Sequence, residues 1–399
     1  MSDKFTKIFA IFALVFLAGI MISALVPDKA KEAEAIGDAS AYVSETESSL
    51  KEDIPEPDGE KTVVSETGQQ KYYYNALSSE EKIVYDQMYQ AILNREDVKL
   101  DTEDKEVVNK IFECVTNDHP EIFYCSAYQI EGVQLYGKMV QMKFSANYHM
   151  TESEVQENFR KIEAYVETCI ASVPAGADEY TKVKYVYEYI INHTEYVPNS
   201  LNNQNVCSVF IGGQSVCMGY AKATQYILSR LGVDITLAYG TVGGESHSWN
   251  LVRVDGEYYY MDPTWGDAGY VRPGMTADAP VSQGVNYEYF LITTEQLTKS
   301  HVLDNVVPLP ACVATRNNYY VREGLYIRTY DETALSAIFD RMQSTGESSV
   351  SIKCADAACY QETKDQLVSQ QEIFRFLDGA GSVSYSYNDD LYTLIFWIE

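Results

Sequence analysis

The chain has 399 residues and a mass of 45.0 kDa, which is enough for two or three domains. Hydrophobic residues make up 46% and charged residues 22%, a composition that excludes wholesale disorder and a polytopic membrane protein. The 58 Asp and Glu residues outnumber the 30 Lys and Arg residues, and the resulting net charge of −28 would repel a phosphate backbone. Nucleic acid is therefore excluded as an expected partner.

The amino terminus carries an apolar segment. Residues 8–26 contain no charged side chain, and Lys4 and Lys7 precede them. A run of this length can span a bilayer as a helix, and the preceding positive charges place the rest of the chain outside. An Ala-Glu-Ala site at 33–35 keeps a cleaved signal peptide, and hence a secreted protein, as the alternative. The sequence favours an uncleaved anchor in the cell membrane with an extracellular folded part.

Five segments are predicted along the chain. Residues 1–27 form the membrane anchor or signal segment, and the acidic residues 28–71 form a disordered spacer. Residues 72–173 form an α+β segment. Residues 174–315 form the core that carries the chemistry, and residues 316–399 form a small α/β accessory domain.

Capping boxes give the clearest helix signals. Ser78 and Glu81 have capping-box spacing before an apolar-periodic run, which predicts a helix over 79–94. Thr151 and Glu154 have the same spacing before a second run with apolar residues on one face. Both patterns predict helices that pack against a larger body.

Apolar periodicity predicts further elements. A helix is expected over 102–117, followed by strands over 122–130 and 133–147. In the last segment, residues 318–329 are predicted to be strand-like, and a helix is expected near 361–377.

The core segment contains a cysteine at a helix start. Cys217 follows the Gly-containing turn GGQSV, and Ala223, Ile227 and Leu231 recur every four residues after it. A thiol at a helix amino terminus faces unpaired backbone N–H groups, an environment typical of reactive cysteines. The alternative is a buried cysteine that packs as a small hydrophobic side chain.

A predicted hairpin supplies partners for this thiol. The Asp-Gly pair at 255–256 is a strong two-residue turn signal. Pairing about this turn puts His247, Trp249 and Asp262 on one face, with His247 diagonal to Asp262. Together with Cys217 they form the parts of a nucleophilic site: a thiol, an imidazole that takes and returns its proton, and a carboxylate that orients the imidazole.

No competing histidine is predicted for this role, because His193 and His301 lack a comparable hairpin with a carboxylate. No cofactor is expected. Cys354 and Cys359 have a C-x4-C spacing without a second pair or a nearby His, so no metal site is predicted. The pairing of the 8 cysteines stays open, and reversible capping of the nucleophile by Cys207 is a less favoured alternative.

At these residues the sequence resembles the transglutaminase-like superfamily. The match lies in VCMGYAKA around Cys217, in HSWNLVRVDGEYYYMDPTW from His247 to Trp265, and in the helix YTKVKYVYEYIINHTEY before them. The resemblance implies an α+β, papain-like core whose cysteine helix packs on an antiparallel sheet. It implies Cys217 as nucleophile, His247 as general base and acid, and Asp262 as third member of the triad. Gln204 matches a glutamine of many bacterial members and is suggested to stabilise the oxyanion, with a loop amide as the alternative.

Two tryptophans are candidates for the substrate cleft. Trp249 and Trp265 flank the predicted triad residues on the hairpin. They are predicted as possible walls of the cleft, but core packing of the two rings is the favoured account.

The resemblance implies a thiol-dependent acyl-transfer enzyme that acts on peptide or amide bonds through a thioester. It permits a protease or amidase as well as a transglutaminase, and hydrolysis is favoured because no amine site is evident. The expected partner is a protein or peptide substrate, with cell-wall peptide among the candidates. The alternative is a non-catalytic cell-surface binding module that retains the fold. Because Cys217, His247 and Asp262 are all present, the enzyme is favoured.

Overall fold

The computed structural model describes residues 42–44, 71–136, 138–267, 284–377, 379 and 381–398. The predicted anchor or signal segment lies outside these ranges, as does most of the predicted spacer. Within the ranges that the structure describes, no helix is both long and apolar enough to cross a bilayer.

The first folded segment combines helices with a sheet. Its helices are α1 (Tyr72–Ala76), α2 (Ser79–Asn94), α3 (Lys105–Asp118) and α4 (Glu152–Ser172). Its strands are β1 (Tyr42–Ser44), β2 (Val98–Leu100), β3 (Cys125–Leu135) and β4 (Lys138–Tyr148), in the order β1-β3-β4-β2. Strand β1 pairs in parallel with β3, so these three residues of the predicted spacer are ordered by backbone pairing at the sheet edge.

Both predicted capping boxes are formed. The Ser78 hydroxyl accepts the backbone N–H of Glu81, whose carboxylate accepts the N–H of Ser78, and α2 covers 79–94 as predicted. Thr151 and Glu154 make the same reciprocal pair at the start of α4. The two helix starts are therefore fixed by local hydrogen bonds that the sequence spacing encodes.

Other boundaries in this segment differ from the prediction. Helix α3 begins three residues later than expected, because the Asp104 side chain accepts the N–H of Glu106 and caps the helix there. The strands predicted over 122–130 and 133–147 are present as β3 and β4. Strand β3 ends, and β4 begins, five residues further along the chain than predicted, because backbone pairing continues as far as Leu135 and Lys138.

The middle segment is a helical layer on an antiparallel sheet. Its helices are α5 (Glu179–Asn192), α6 (Val206–Phe210), α7 (Cys217–Arg230), α8 (Pro263–Gly266) and α9 (Thr294–Leu297). Its strands are β5 (Glu195–Tyr196), β6 (Gln214–Ser215), β7 (Ile235–Val242), β8 (Glu245–Val254), β9 (Glu257–Met261) and β10 (His301–Leu303). Strands β7 to β10 form a sheet in the order β10-β7-β8-β9, and α7 packs against β7 and β8. The predicted α+β class, with the cysteine helix on an antiparallel sheet, is confirmed.

The last segment has its own sheet, in the order β11-β12-β14-β13. Its helices are α10 (Tyr319–Arg322), α11 (Glu332–Thr345) and α12 (Ala357–Lys364). Its strands are β11 (Tyr326–Ile327), β12 (Ser349–Cys354), β13 (Val383–Asn388) and β14 (Thr393–Ile398).

Two predictions in the last segment are wrong. The residues predicted as strand-like, 318–329, hold α10 and the short strand β11, because Gly324 at a φ of 71° ends the helical turn and leaves little room for a strand. The helix predicted over 361–377 begins earlier, as α12 at Ala357, because the Asp356 side chain caps it there. A π-helical turn over Asp365–Ser369 continues α12, and a separate 3-10 turn over Glu372–Arg375 follows.

Two large hydrophobic clusters hold these segments. One runs from Tyr73 to Val307 and joins the first and middle segments, and the other runs from Tyr320 to Phe396 within the last segment. Between the middle and the last segment, the Tyr180 hydroxyl donates a hydrogen bond to the Glu323 carboxylate. The predicted domain boundaries themselves stay a prediction.

Strand β7 approaches β10 closely at Gly240. A Cβ atom at this position would lie 1.8 Å from the Val302 carbonyl oxygen. We expect Gly240→Ala to lower the free energy of unfolding by about 1 to 3 kcal/mol, because β10 has to move to relieve the overlap. Urea denaturation measures this change, and Thr241→Ala, at a half-buried neighbour, is the control with an expected loss below about 1 kcal/mol. An unchanged unfolding free energy for Gly240→Ala would contradict the close approach.

Candidate active site

Cys217 is the first residue of α7, as predicted, and is partly exposed. The short strand β6, which pairs in parallel with β5, leads the chain into this helix. In the first helical turn, a Cβ atom at Gly219 would lie 1.9 Å from the Ser215 hydroxyl oxygen. Because Gly219 has no side chain, the residues before α7 can pack closely against its first turn. This packing holds the Cys217 thiol in a fixed position beside the sheet.

Asp262 follows β9 and caps α8. Its Oδ1 accepts the backbone N–H groups of Thr264 at 2.9 Å and Trp265 at 3.1 Å. Its Oδ2 lies 2.7 Å from Nε2 of His247 and 3.2 Å from Nε2 of His301. The carboxylate is completely buried. Because donors face both of its oxygens, the protein itself solvates this charge.

The hairpin between β8 and β9 has the predicted register. Val254 pairs with Glu257 across the turn at 255–256. The same register continues along the two strands to the pair Asn250 and Met261, next to Asp262. The predicted meeting of His247 and Asp262 is confirmed by the 2.7 Å contact between Nε2 and Oδ2. The Cys217 thiol is also close enough to the His247 ring to help raise its pKa, so His247 interacts with both other members of the predicted triad.

Burial and charge act in opposite directions on these groups. Burial lowers the pKa of His247, but the charge and hydrogen bond of Asp262, together with the contact to Cys217, outweigh burial and raise this pKa to about 10. Burial raises the pKa of Asp262, but His247 and His301 outweigh it and hold the pKa below its usual value. At neutral pH the pair is therefore an imidazolium beside a carboxylate.

The structure adds His301, to which the sequence analysis gave no role. His301 pairs with Val242 in β7, and β7 in turn pairs with β8, so the rings of His247 and His301 lie on one face of the sheet. Their centroids are 5.4 Å apart. His301 stands 39 residues from Asp262, and no turn or motif links the two. The sequence therefore carries no local signal for this contact.

The two tryptophans are core residues. Trp249 has no exposed surface and Trp265 is 5% exposed. Both rings pack around His301, with centroid distances of 4.9 Å and 4.7 Å. The prediction that they form cleft walls is corrected for this reason, and core packing, the account that the sequence analysis favoured, describes their position.

Gln204 lies in the loop before α6 and is exposed. The neighbouring Asn203 carbonyl oxygen accepts the Ser215 hydroxyl at 3.5 Å, so this loop runs along the approach to Cys217. No hydrogen bond of the Gln204 side chain occurs within the ranges that the structure describes. Its proposed part in stabilising an oxyanion stays a prediction.

All eight cysteines are free thiols, and Cys207 makes no disulfide with Cys217. Within the described ranges, one group of His, Cys, Asp and Glu side chains brings its donor atoms close enough to share an ion: His247, Asp262 and His301, all within 4.8 Å of one another. The hydrogen bonds of Asp262 to both rings account for this closeness.

The comparisons with known proteins point to the same part of the chain. Residues 150–263 match the family model of the transglutaminase-like superfamily. The matched range contains the cysteine, the histidine and the aspartate of the predicted triad. Residues 150–263 are therefore transglutaminase-like. Members of the superfamily are often cysteine proteases or transglutaminases. No curated protein matches the chain.

Several solved structures are similar to part of this chain. A protein described as a TGase has a TM-score of 0.26 and 14% identity over 46% of this chain and 54% of its own. A candidate cysteine protease from Cytophaga hutchinsonii has a TM-score of 0.24 and 12% identity over 34% of this chain and 61% of its own. The periplasmic domain of TgpA from Pseudomonas aeruginosa, bound to ethylmercury, has a TM-score of 0.22 and 17% identity over 32% and 56%. The chain thus spans little more than half the length of these proteins.

The His247–Asp262 pair makes the stability of the transglutaminase-like core depend on pH. The folded-state pKa of His247, about 10, lies above the ordinary value of 6.5, so its contribution is fully present below pH 6.5 and is lost as the pH rises through about 10. We expect the wild type to lose at least about 1 kcal/mol of its advantage over His247→Gln between pH 6 and pH 10. Urea denaturation at both pH values measures this difference, and a constant difference would contradict the ion pair.

Proposed function

We propose that this protein is a cysteine-dependent acyl-transfer enzyme that acts on peptide or amide bonds. The observation that carries the proposal is the contact between His247 and Asp262, together with the influence of the nearby Cys217 thiol on the same ring. A thiol, a histidine and a buried carboxylate in this order are the parts that nucleophilic catalysis requires. The partial exposure of Cys217 supports the access of a substrate to the thiol.

The reaction follows from these positions. In the reactive form the proton of the Cys217 thiol has passed to His247, and the thiolate beside the imidazolium attacks the carbonyl carbon of the substrate. The imidazolium then gives its proton to the departing amine, which leaves a thioester on Cys217. Water or a second amine then attacks the thioester and gives a proton to His247. The C–S bond breaks, the acid or the new amide leaves, and the imidazolium beside the Cys217 thiolate is restored. Asp262 stays ionised throughout, orients the ring and stabilises its charged form.

Hydrolysis is the proposed outcome for the thioester. Water reaches any open acyl-enzyme, whereas transfer to an amine requires a site that binds the amine. The substrate class that fits this chemistry is a protein or peptide, with cell-wall peptide among the candidates. The apolar run at 8–26 supports a further proposal, that the enzyme is held in the cell membrane with its folded part outside.

Acylation by p-nitrophenyl acetate tests the mechanism without knowledge of the natural substrate. We expect the full-length protein to release a burst of p-nitrophenol equal to the enzyme concentration and to gain an acetyl group on Cys217, visible by mass spectrometry. Cys217→Ala should abolish the burst, because the nucleophile is removed. Cys207→Ala, at a buried cysteine of α6, is the matched control and should keep it. A burst that survives in Cys217→Ala would overturn the proposed mechanism.

Cell fractionation tests the proposed location. The native protein should sediment with membranes and keep its amino terminus, while deletion of residues 1–27 should release it into the soluble fraction. Intact-mass measurement reads the mature start directly. A mature chain that begins near Ile36 would contradict the anchor and support the secreted alternative.

A further inference from the structure

We propose that His301 is a positioning residue that holds the Asp262 carboxylate in place for His247. The inference rests on the proposed function, since it concerns the orientation of the same triad. It assigns a role to a buried histidine that the reaction above does not use, and its basis is the set of contacts around one oxygen atom, Oδ2 of Asp262.

The hydrogen bonds of His301 have a defined direction. The Asp262 carboxylate can only accept, so Nε2 of His301 must carry the proton of their 3.2 Å contact. In the neutral ring, Nδ1 is then an acceptor, and it lies 2.7 Å from the Ser300 hydroxyl. The Ser300 oxygen in turn lies 2.9 Å from the Tyr289 hydroxyl. A chain of donors therefore runs from Tyr289 through Ser300 and His301 to the carboxylate.

The surroundings favour the neutral ring of His301. Its imidazole is 1% exposed and contacts Trp249, Trp265 and Tyr289, which supply no negative charge. Burial and the nearby charge of His247 lower the pKa of His301 more than Asp262 and the Leu297 carbonyl group raise it. Oδ2 of Asp262 therefore accepts hydrogen bonds from one charged and one neutral histidine. Because His301 is neutral, it donates its hydrogen bond without forming a second ion pair with the carboxylate.

The geometry explains why a second donor matters. The His247 ring needs the carboxylate oxygen at a fixed point if its other nitrogen is to face Cys217. The backbone N–H groups of Thr264 and Trp265 hold Oδ1, and His301 on β10 holds Oδ2 together with His247 on β8. Without His301, one oxygen would be held by His247 alone, and the carboxylate could rotate away from the position that orients the ring.

Alkylation of Cys217 by iodoacetamide at pH 7, read by peptide mass spectrometry on the full-length protein, tests the proposal. His301→Asn has an amide too short to reach Oδ2 and should slow alkylation roughly tenfold. His301→Gln places an amide N–H near the position of Nε2 and should keep the rate within about twofold. Ser300→Ala, which removes the donor to Nδ1, should slow alkylation roughly two- to fivefold. Melting temperatures of each variant separate loss of folding from loss of orientation.

The outcomes are distinguishable. Rescue by Gln but not by Asn at similar melting temperatures supports positioning by the donor. Equal alkylation rates in all the His301 variants and the wild type overturn it, as does equal slowing in Gln and Asn with equally lowered melting temperatures, which would indicate packing alone. His247→Gln is the reference for the proposed function. If its Cys217 reacts as fast as that of the wild type, the proposed function fails, and the role of His301 fails with it.

Discussion

The buried carboxylate of Asp262 is the constraint on which the arrangement of this protein depends. A fully buried negative charge is costly unless it is paired and hydrogen-bonded. Four groups meet that requirement: two backbone N–H groups of α8 and the rings of His247 and His301. Strands β8 and β10 and helix α8 must therefore converge on one point, and the chemistry of the site depends on that convergence.

Hydrogen bonds and hydrophobic packing elsewhere in the molecule hold the elements that carry the site. The Tyr73 hydroxyl of α1 donates to the Leu237 carbonyl oxygen in β7, and the Gln225 amide of α7 donates to the Asn117 carbonyl oxygen in α3. One continuous hydrophobic cluster joins these elements. The first folded segment therefore fixes the cysteine helix and the sheet relative to each other, which a triad distributed over both requires.

Sequence patterns predicted the features that local rules govern. Capping boxes fixed the starts of α2 and α4, and the Asp-Gly turn fixed the register that brings His247 to Asp262. The contact of His301 could not be predicted, because it arises from the pairing of β10 with β7 between distant parts of the chain. The last segment also departs from the prediction, since the turn at Gly324 and the cap at Asp356 override apolar periodicity there.

The decisive property of the site is the protonation state of His247, which the buried ion pair with Asp262 sets. Nitrogen NMR of protein labelled with ¹⁵N-histidine is suited to it, because the chain has only 5 histidines and the spectrum of His247→Gln identifies the signal. We expect His247 to stay an imidazolium through neutral pH and to titrate near pH 10, because Asp262 stabilises the charge. Titration near the ordinary value of 6.5 would contradict the buried ion pair from which the site is derived.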